Sequence, residues 1–320
     1  MNRRGVCYDV GRVYGMGRSL RPRFDPQLAH RELEIIRHDL QCNAVRICGL
    51  DFRRLMTAAE DALRQGLEVW LSPNMFEQSQ ERTLKYIARA AAAAEQLRQS
   101  WPVRLVLGLG SESTLFTQGI VEGRSLTQRL SHPPLRETVE TGRHNGPLKA
   151  FLARANEAAR QVFHGKVTYA SLVREQVDWS LFDFVGVDHY RNARIRDRDV
   201  DMLRPLLGHG KPVINTEFGC RTHRGAEDSG AMGLGIIDWK RMGFRWLLQH
   251  IPVLGQSVRL ELNGDSVRDE ALQAREIVET LAILDAVGVD GAFVQTFVES
   301  FMTYSEHPQS MPWTWGASAW

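Results

Sequence analysis

Short runs of apolar and β-branched residues alternate along the chain with longer stretches whose apolar positions recur at helical spacing, and the alternation repeats eight times. The strand-like runs cover residues 5–9, 43–48, 67–71, 103–110, 166–171, 183–190, 212–216 and 291–297. Helical period appears over 26–40, where Leu28, Leu33, Ile36 and Leu40 follow an Asp25 N-cap and Pro26 at the first helical position. It returns over 51–65 (stopped by Gly66), 79–99 (with an alanine run at 90–94), 147–163, 198–208 and 268–287. Eight such alternations predict an α/β fold of the (β/α)8 TIM-barrel type. The rival is a doubly wound sheet. Gly15-Met16-Gly17 and Gly108-Leu109-Gly110 both lack the third glycine of its phosphate-binding turn.

Three stretches break the rhythm. Residues 113–142 contain Pro133-Pro134 and little period, so they read as a loop. Residues 220–268 form a long insertion whose middle, 239–254, is apolar and helical in character. After the eighth strand, 299–320 shows no helical period, so the eighth helix is expected to be incomplete or irregular. The whole chain, 1–320, reads as one barrel domain.

At 320 residues, 43% hydrophobic and 24% charged, the chain can bury one sizeable core. A formal net charge of +2 is too small to point to nucleic acid or an acidic membrane surface. No apolar run is long enough to span a bilayer, and MNRRGVCYDV at the start lacks a signal-peptide apolar region. Cys7, Cys42, Cys48 and Cys220 have no metal-ligand spacing and read as small buried hydrophobes in a reducing compartment, so the cytoplasm is expected. The arginine-rich run at 191–199 is interleaved with acids. It reads as a solvated loop and helix start, or more sharply as a rim favouring an anionic substrate. Oligomeric state stays open.

Barrel chemistry sits at the C-terminal ends of the strands. This chain puts Tyr8, Asp9, Arg46, Asn74, Glu112, His189, Tyr190, Glu217 and Glu299 there. Within Lys211–Gly219, Glu217 comes at the end of the short β-branched run that Pro212 opens, and a carboxylate at the lip of a buried strand is costly unless it is paired or used. Glu112 follows the fourth strand and Glu217 the seventh. Two carboxyl groups about 5–5.5 Å apart would make a retaining glycosidase, and a gap of roughly 6.5–9.5 Å an inverting one. The acid of such a pair needs a raised pKa. The nucleophile needs a cation such as Arg46 and a hydroxyl such as Tyr190.

The segments VRI at 45–47, GSE at 110–112, VGVDHY at 185–190 and NTEFG at 215–219 resemble a clan A glycoside hydrolase. The chain is also similar, from residue 5 to about residue 300, to bacterial proteins labelled abortive infection proteins. The clan resemblance implies a retaining barrel enzyme acting on a carbohydrate. Glu217 would be its nucleophile, Glu112 its acid/base, and Arg46 and Tyr190 would orient Glu217. Ser111 stands where the clan has asparagine before the acid/base, and Phe297 where it often has tryptophan under the sugar.

Each residue also has a plainer reading. Glu217 and Arg46 could form a structural ion pair. His189, beside Asp188, could be a satisfied polar histidine, and no His-x-His follows the first strand to suggest a metal site. Tyr8 is undecided, and Trp70 reads as barrel packing. Glu299 is either a third site carboxylate or a contact of the tail. Neither a metal nor an organic cofactor is expected. The alternative function is a barrel without catalysis that binds carbohydrate or acts in phage defence.

Overall fold

The computed structural model describes the chain apart from residues 15–17, 20, 103, 132, 232–266 and 300–320. Eight parallel strands close into a barrel: β1 (Arg3–Gly11), β2 (Ala44–Gly49), β3 (Glu68–Pro73), β4 (Leu105–Ser111), β5 (Lys166–Leu172), β6 (Val185–Asp188), β7 (Val213–Phe218) and β8 (Gly291–Val294). They follow one another around the ring in chain order, and β8 closes on β1 with Arg3 opposite Gly291. This is the (β/α)8 architecture expected from the alternation.

The principal helices are α1 (Pro26–Glu34, continued by a π-helical turn Ile35–Asp39), α2 (Phe52–Arg64), α3 (Gln80–Ser100), α4 (Asn145–Arg160), α5 (Asp199–Leu207) and α6 (Glu270–Val287). Their starts are set by side chains that accept orphan backbone N–H groups: Asp25 from Gln27, Asp51 from Arg54 and Asp269 from Leu272, at 2.8–2.9 Å. Between β5 and β6 the chain makes only a short 3-10 turn, Trp179–Leu181. One connection differs from expectation. The stretch read as a loop after β4 instead carries short helices, Ser113–Phe116, Leu126–Ser131 and Pro133–Glu140. Helices this short do not repeat an apolar face, and Pro133 opens one of them at a position where proline is preorganised. The helix expected at 239–254 and the tail beyond 299 lie outside the described residues.

Alternating strand residues split the core into two layers. Cys7, Ala44, Trp70, Val106, Phe184, Ile214 and Phe293 fill the barrel interior. At its floor Arg3 stacks over Phe184 at 4.9 Å and donates to Glu68 at 2.7 Å, and Glu68 also accepts from the Trp70 indole at 2.9 Å. The outer layer, including Tyr8, Leu33, Leu55, Ile87, Phe151 and Leu203, joins the wall to the helices. Gly186 admits the close strand contact on β6, since a Cβ there would sit 2.3 Å from the Tyr169 carbonyl oxygen.

The ladders lose their even register near the C-terminal lip: between Gly108 and Ser111, between Val187 and Asp188, and between Asn215 and Phe218. Such irregularities re-aim side chains. Here they fall where Glu112 and Glu217 leave the wall.

Candidate active site

Glu217 lies at the end of β7 with both oxygens engaged. Oε1 accepts from Arg46 Nη1 at 2.7 Å and from Arg12 Nη1 at 3.3 Å, and Oε2 accepts from the Tyr190 hydroxyl at 3.2 Å. Arg46 stands inside the barrel on β2, where its Nη1 also reaches the Thr216 carbonyl at 3.0 Å and its Nη2 the Ser72 hydroxyl at 3.2 Å. Burial raises the Tyr190 phenol, and the charge of Glu217 raises it further, so the hydroxyl keeps its proton to donate.

Arg12 was not anticipated from sequence. Asp9 turns the chain after β1, accepting from the backbone of Gly11 at 2.6 Å and Arg12 at 2.8 Å, and its other oxygen takes Arg12 Nε at 2.7 Å. With its amide oxygen turned toward Arg12, Gln295 accepts from both terminal guanidinium nitrogens. Asp9 is therefore linked to Glu217 through Arg12. Only the Asp-x-x-Arg spacing just after a strand could have flagged the pair.

Glu112 follows β4 in the left-handed region, φ 45° and ψ 47°, with its N–H on the Ala170 carbonyl at 2.8 Å. A non-glycine residue there is held against local preference by its surroundings. The turn behind it is pinned: Ser113 N–H donates to the Tyr169 hydroxyl at 2.7 Å, and Tyr169 donates to Glu175 at 2.8 Å. Glu175 also accepts from Thr114 N–H at 3.0 Å. Among the described residues none hydrogen-bonds the Glu112 carboxyl. Burial raises it well above the ordinary carboxylate range; the charges of Asp188, Glu217 and Glu175 add to this, and Arg46 opposes it. Glu112 and Glu217 thus share one electrostatic neighbourhood in very different surroundings.

Asp188, at the end of β6, lies between them. Its side chain is fully buried and accepts from Ser111 Oγ at 3.0 Å and from Thr216 Oγ1 at 2.6 Å. It is pushed up to about 7, first by burial and then by Glu217, against the pull of Arg46. Glu299 is also raised by burial and feels Arg221, Arg12, Asp9 and Glu217, which puts it at the same mouth. Burial outweighs the charge of Glu299 at Arg221, which falls to about 10.

Two expected contacts go elsewhere. Tyr8 points outward into the layer between the wall and α1, where its hydroxyl donates to Glu32 and Arg21 covers its ring. On a strand, neighbours of inward-facing Cys7 and Asp9 must face the helices. His189 is likewise turned away: Nε2 bonds Asp199 on α5 at 2.9 Å, beside Arg191 Nε at 2.7 Å on the same carboxylate. Phe297 packs near Tyr8 in the same apolar layer, with ring centroids 6.4 Å apart.

Among the described residues no group of three or more His, Cys, Asp or Glu is arranged to hold a metal, and no helix is long and apolar enough to cross a membrane. The four cysteines are free and buried.

No protein-family model matches the chain, and no curated protein matches it in sequence. Solved structures do. A GH113 β-1,4-mannanase superposes with a TM-score of 0.64 at 12% identity, over 99% of this chain and 95% of the other. A complex structure of a GH113 β-1,4-mannanase gives 0.58 at 14% identity, over 91% and 87%. A GH5-4 broad-specificity endoglucanase from an uncultured bacterium gives 0.52 at 8% identity, over 92% and 87%. The likeness is one of fold. It places the chain beside glycosidase barrels of similar length, and the residues must argue the rest.

Proposed function

We propose that this chain is a glycoside hydrolase that cleaves an O-glycosidic bond with retention, by double displacement on two glutamates. The observation that carries the proposal is the contrast between two carboxyls that feel each other's charge at the same end of the barrel. Glu112 is a carboxyl raised by burial and by neighbouring negative charge. Glu217 faces two guanidiniums and a phenol. Paired carboxyls in opposed surroundings are the arrangement that divides acid from nucleophile.

In the first step a Glu217 oxygen attacks the anomeric carbon and the bond to the leaving oxygen breaks. Oε2, which among the described residues carries only the Tyr190 hydroxyl, is the freer oxygen to attack. Glu112 gives its proton to the leaving oxygen, which departs as the alcohol. In the second step water attacks the anomeric carbon, its proton passes to Glu112, and the bond to Glu217 breaks, restoring both groups. Arg46 and Arg12 hold Oε1 throughout. The substrate is a carbohydrate, the reaction uses no cofactor, and we place the enzyme in the cytoplasm.

Glu217→Gln is the test, on a panel of aryl β-mannosides, β-glucosides and β-glucuronides. Turnover should vanish while circular dichroism and melting stay close to wild type, and a fluorinated glycoside should label Glu217 in the parent. Activity in the Gln variant at the parent level would refute the assignment. A second reading, a carbohydrate-binding or phage-defence barrel without catalysis, is favoured by Ser111, whose hydroxyl is committed to Asp188. It predicts oligosaccharide binding with no labelling.

A further inference from the structure

We infer that Asp188 is a positioning residue that sets the gap between Glu112 and Glu217 by tying together the residues immediately before each of them. Its two oxygens take the hydroxyls of Ser111 and Thr216, which precede Glu112 and Glu217 in the chain. The tie runs across the barrel interior: Ser111 ends β4, Asp188 ends β6, and β5 lies between those strands in the ring. The inference rests on the glycosidase reading and deepens it.

Three observations favour a clamp over an ordinary buried ion pair. The first is location: the ladder registers break at Gly108–Ser111, Val187–Asp188 and Asn215–Phe218, so backbone pairing does not fix the spacing of the strand ends there. The second is partner choice. Arg46 Nη1 stands 3.9 Å from Asp188 but 2.7 Å from Glu217, so both short bonds to Asp188 come from the hydroxyls. The third is burial. The Asp188 side chain has no exposed surface, so it cannot touch a sugar and must act through its neighbours. Thr216 is held from a second side by Arg46 through its carbonyl oxygen, which leaves Ser111–Asp188 as the tie that brings the β4 end into line.

A reacting pair tolerates little misplacement, and about 1 Å can cost on the order of a hundredfold in rate. The test uses the full chain with Ser111→Ala, Thr216→Val, their double variant, Thr216→Ser, Asp188→Ala and Asp188→Asn. For the clamp, Asp188→Ala lowers kcat about a hundredfold with KM nearly unchanged. Asp188→Asn, which can still accept from Thr216 and donate to Ser111, loses only several-fold. Thr216→Ser recovers most of what Thr216→Val loses. Because cutting either tie releases the clamp, the double variant is hardly worse than the worse single variant.

Crystal structures of parent and Asp188→Ala give a readout independent of activity: the distance between the two carboxyls widens in the variant. Parent-like kcat in Asp188→Ala, multiplicative losses in the double variant, or an unchanged carboxyl distance would each overturn the inference. If the parent and Glu217→Gln are equally inactive, the glycosidase reading has failed, and the crystallographic distance still decides the clamp.

Discussion

Replacing Asp188 by Asn is expected to stabilise the fold at neutral and alkaline pH but not in acid. In the folded chain this carboxyl titrates near 7, against 3.8 when free, with burial the first cause and the charge of Glu217 the second. Between those values the folded chain holds a proton that the unfolded chain has released. Stability therefore falls as pH rises, by up to about 1.4 kcal/mol per pH unit. Below about pH 4 both states are protonated and the contribution is fully present; above about pH 7 it is lost. Over the whole window the loss is on the order of 4 kcal/mol, a net figure in which the attraction of Arg46 already offsets part of the cost of burial. Asn does not titrate and keeps both hydroxyl partners. Urea denaturation of parent and variant between pH 4 and 8.5 measures the difference. Midpoints that converge at the acid end and separate in favour of the variant above pH 7 support the account. Parallel midpoints across the range would show that Asp188 titrates alike in both states and that the burial argument is wrong.

Three other outcomes follow from the same geometry. The alkaline limb of kcat/KM should lie above the ordinary glutamate range because Glu112 is raised, and Glu112→Gln should harm alkyl glycosides far more than nitrophenyl glycosides, whose leaving group needs no proton. Tyr8→Phe should leave kcat and KM within about twofold and cost about 1 kcal/mol in melting experiments, since its hydroxyl serves Glu32 behind the wall. Arg12→Met should lower kcat and also destabilise the fold by roughly 3–5 kcal/mol, because Asp9 would remain buried without its guanidinium; a variant as stable as the parent would show the Asp9–Arg12 pair to be dispensable.

The barrel was legible because its strands are buried on both faces and therefore continuous in hydrophobicity, and because the helix starts carry capping aspartates. Boundaries were less so. Residues 184–189 are all buried, yet pairing covers only Val185–Asp188, since burial persists beyond the last ladder bond. The short helices after β4 escaped for the opposite reason: they have too few turns to repeat a face. Strand alternation could have placed Tyr8 outside the wall, because Cys7 and Asp9 flank it and both face inward.

The residues around Glu217 divide along a similar line. Arg46 and Tyr190 were readable because each lies on or just beyond a strand, where a polar residue in an apolar run stands out. Arg12 and Gln295 also follow strands, but they were not readable because their role comes from the contacts they make across the chain, Arg12 with Asp9 and Glu217 and Gln295 with Arg12. In the sequence Asp188 stands out only as the neighbour of His189, yet successive residues at a strand end point to opposite faces. His189 goes to Asp199 on α5, and Asp188 goes inward to Ser111 and Thr216. The same inward placement explains why a serine can precede Glu112. A short hydroxyl side chain reaches Asp188 at 3.0 Å and shares its oxygens with Thr216. An asparagine there would bring a longer amide into a space already closed by the Asp188 carboxyl. Ser111 and Asp188 are thus one structural choice made at two positions, and a substitution at either that cannot keep their hydrogen bond should carry the same penalty.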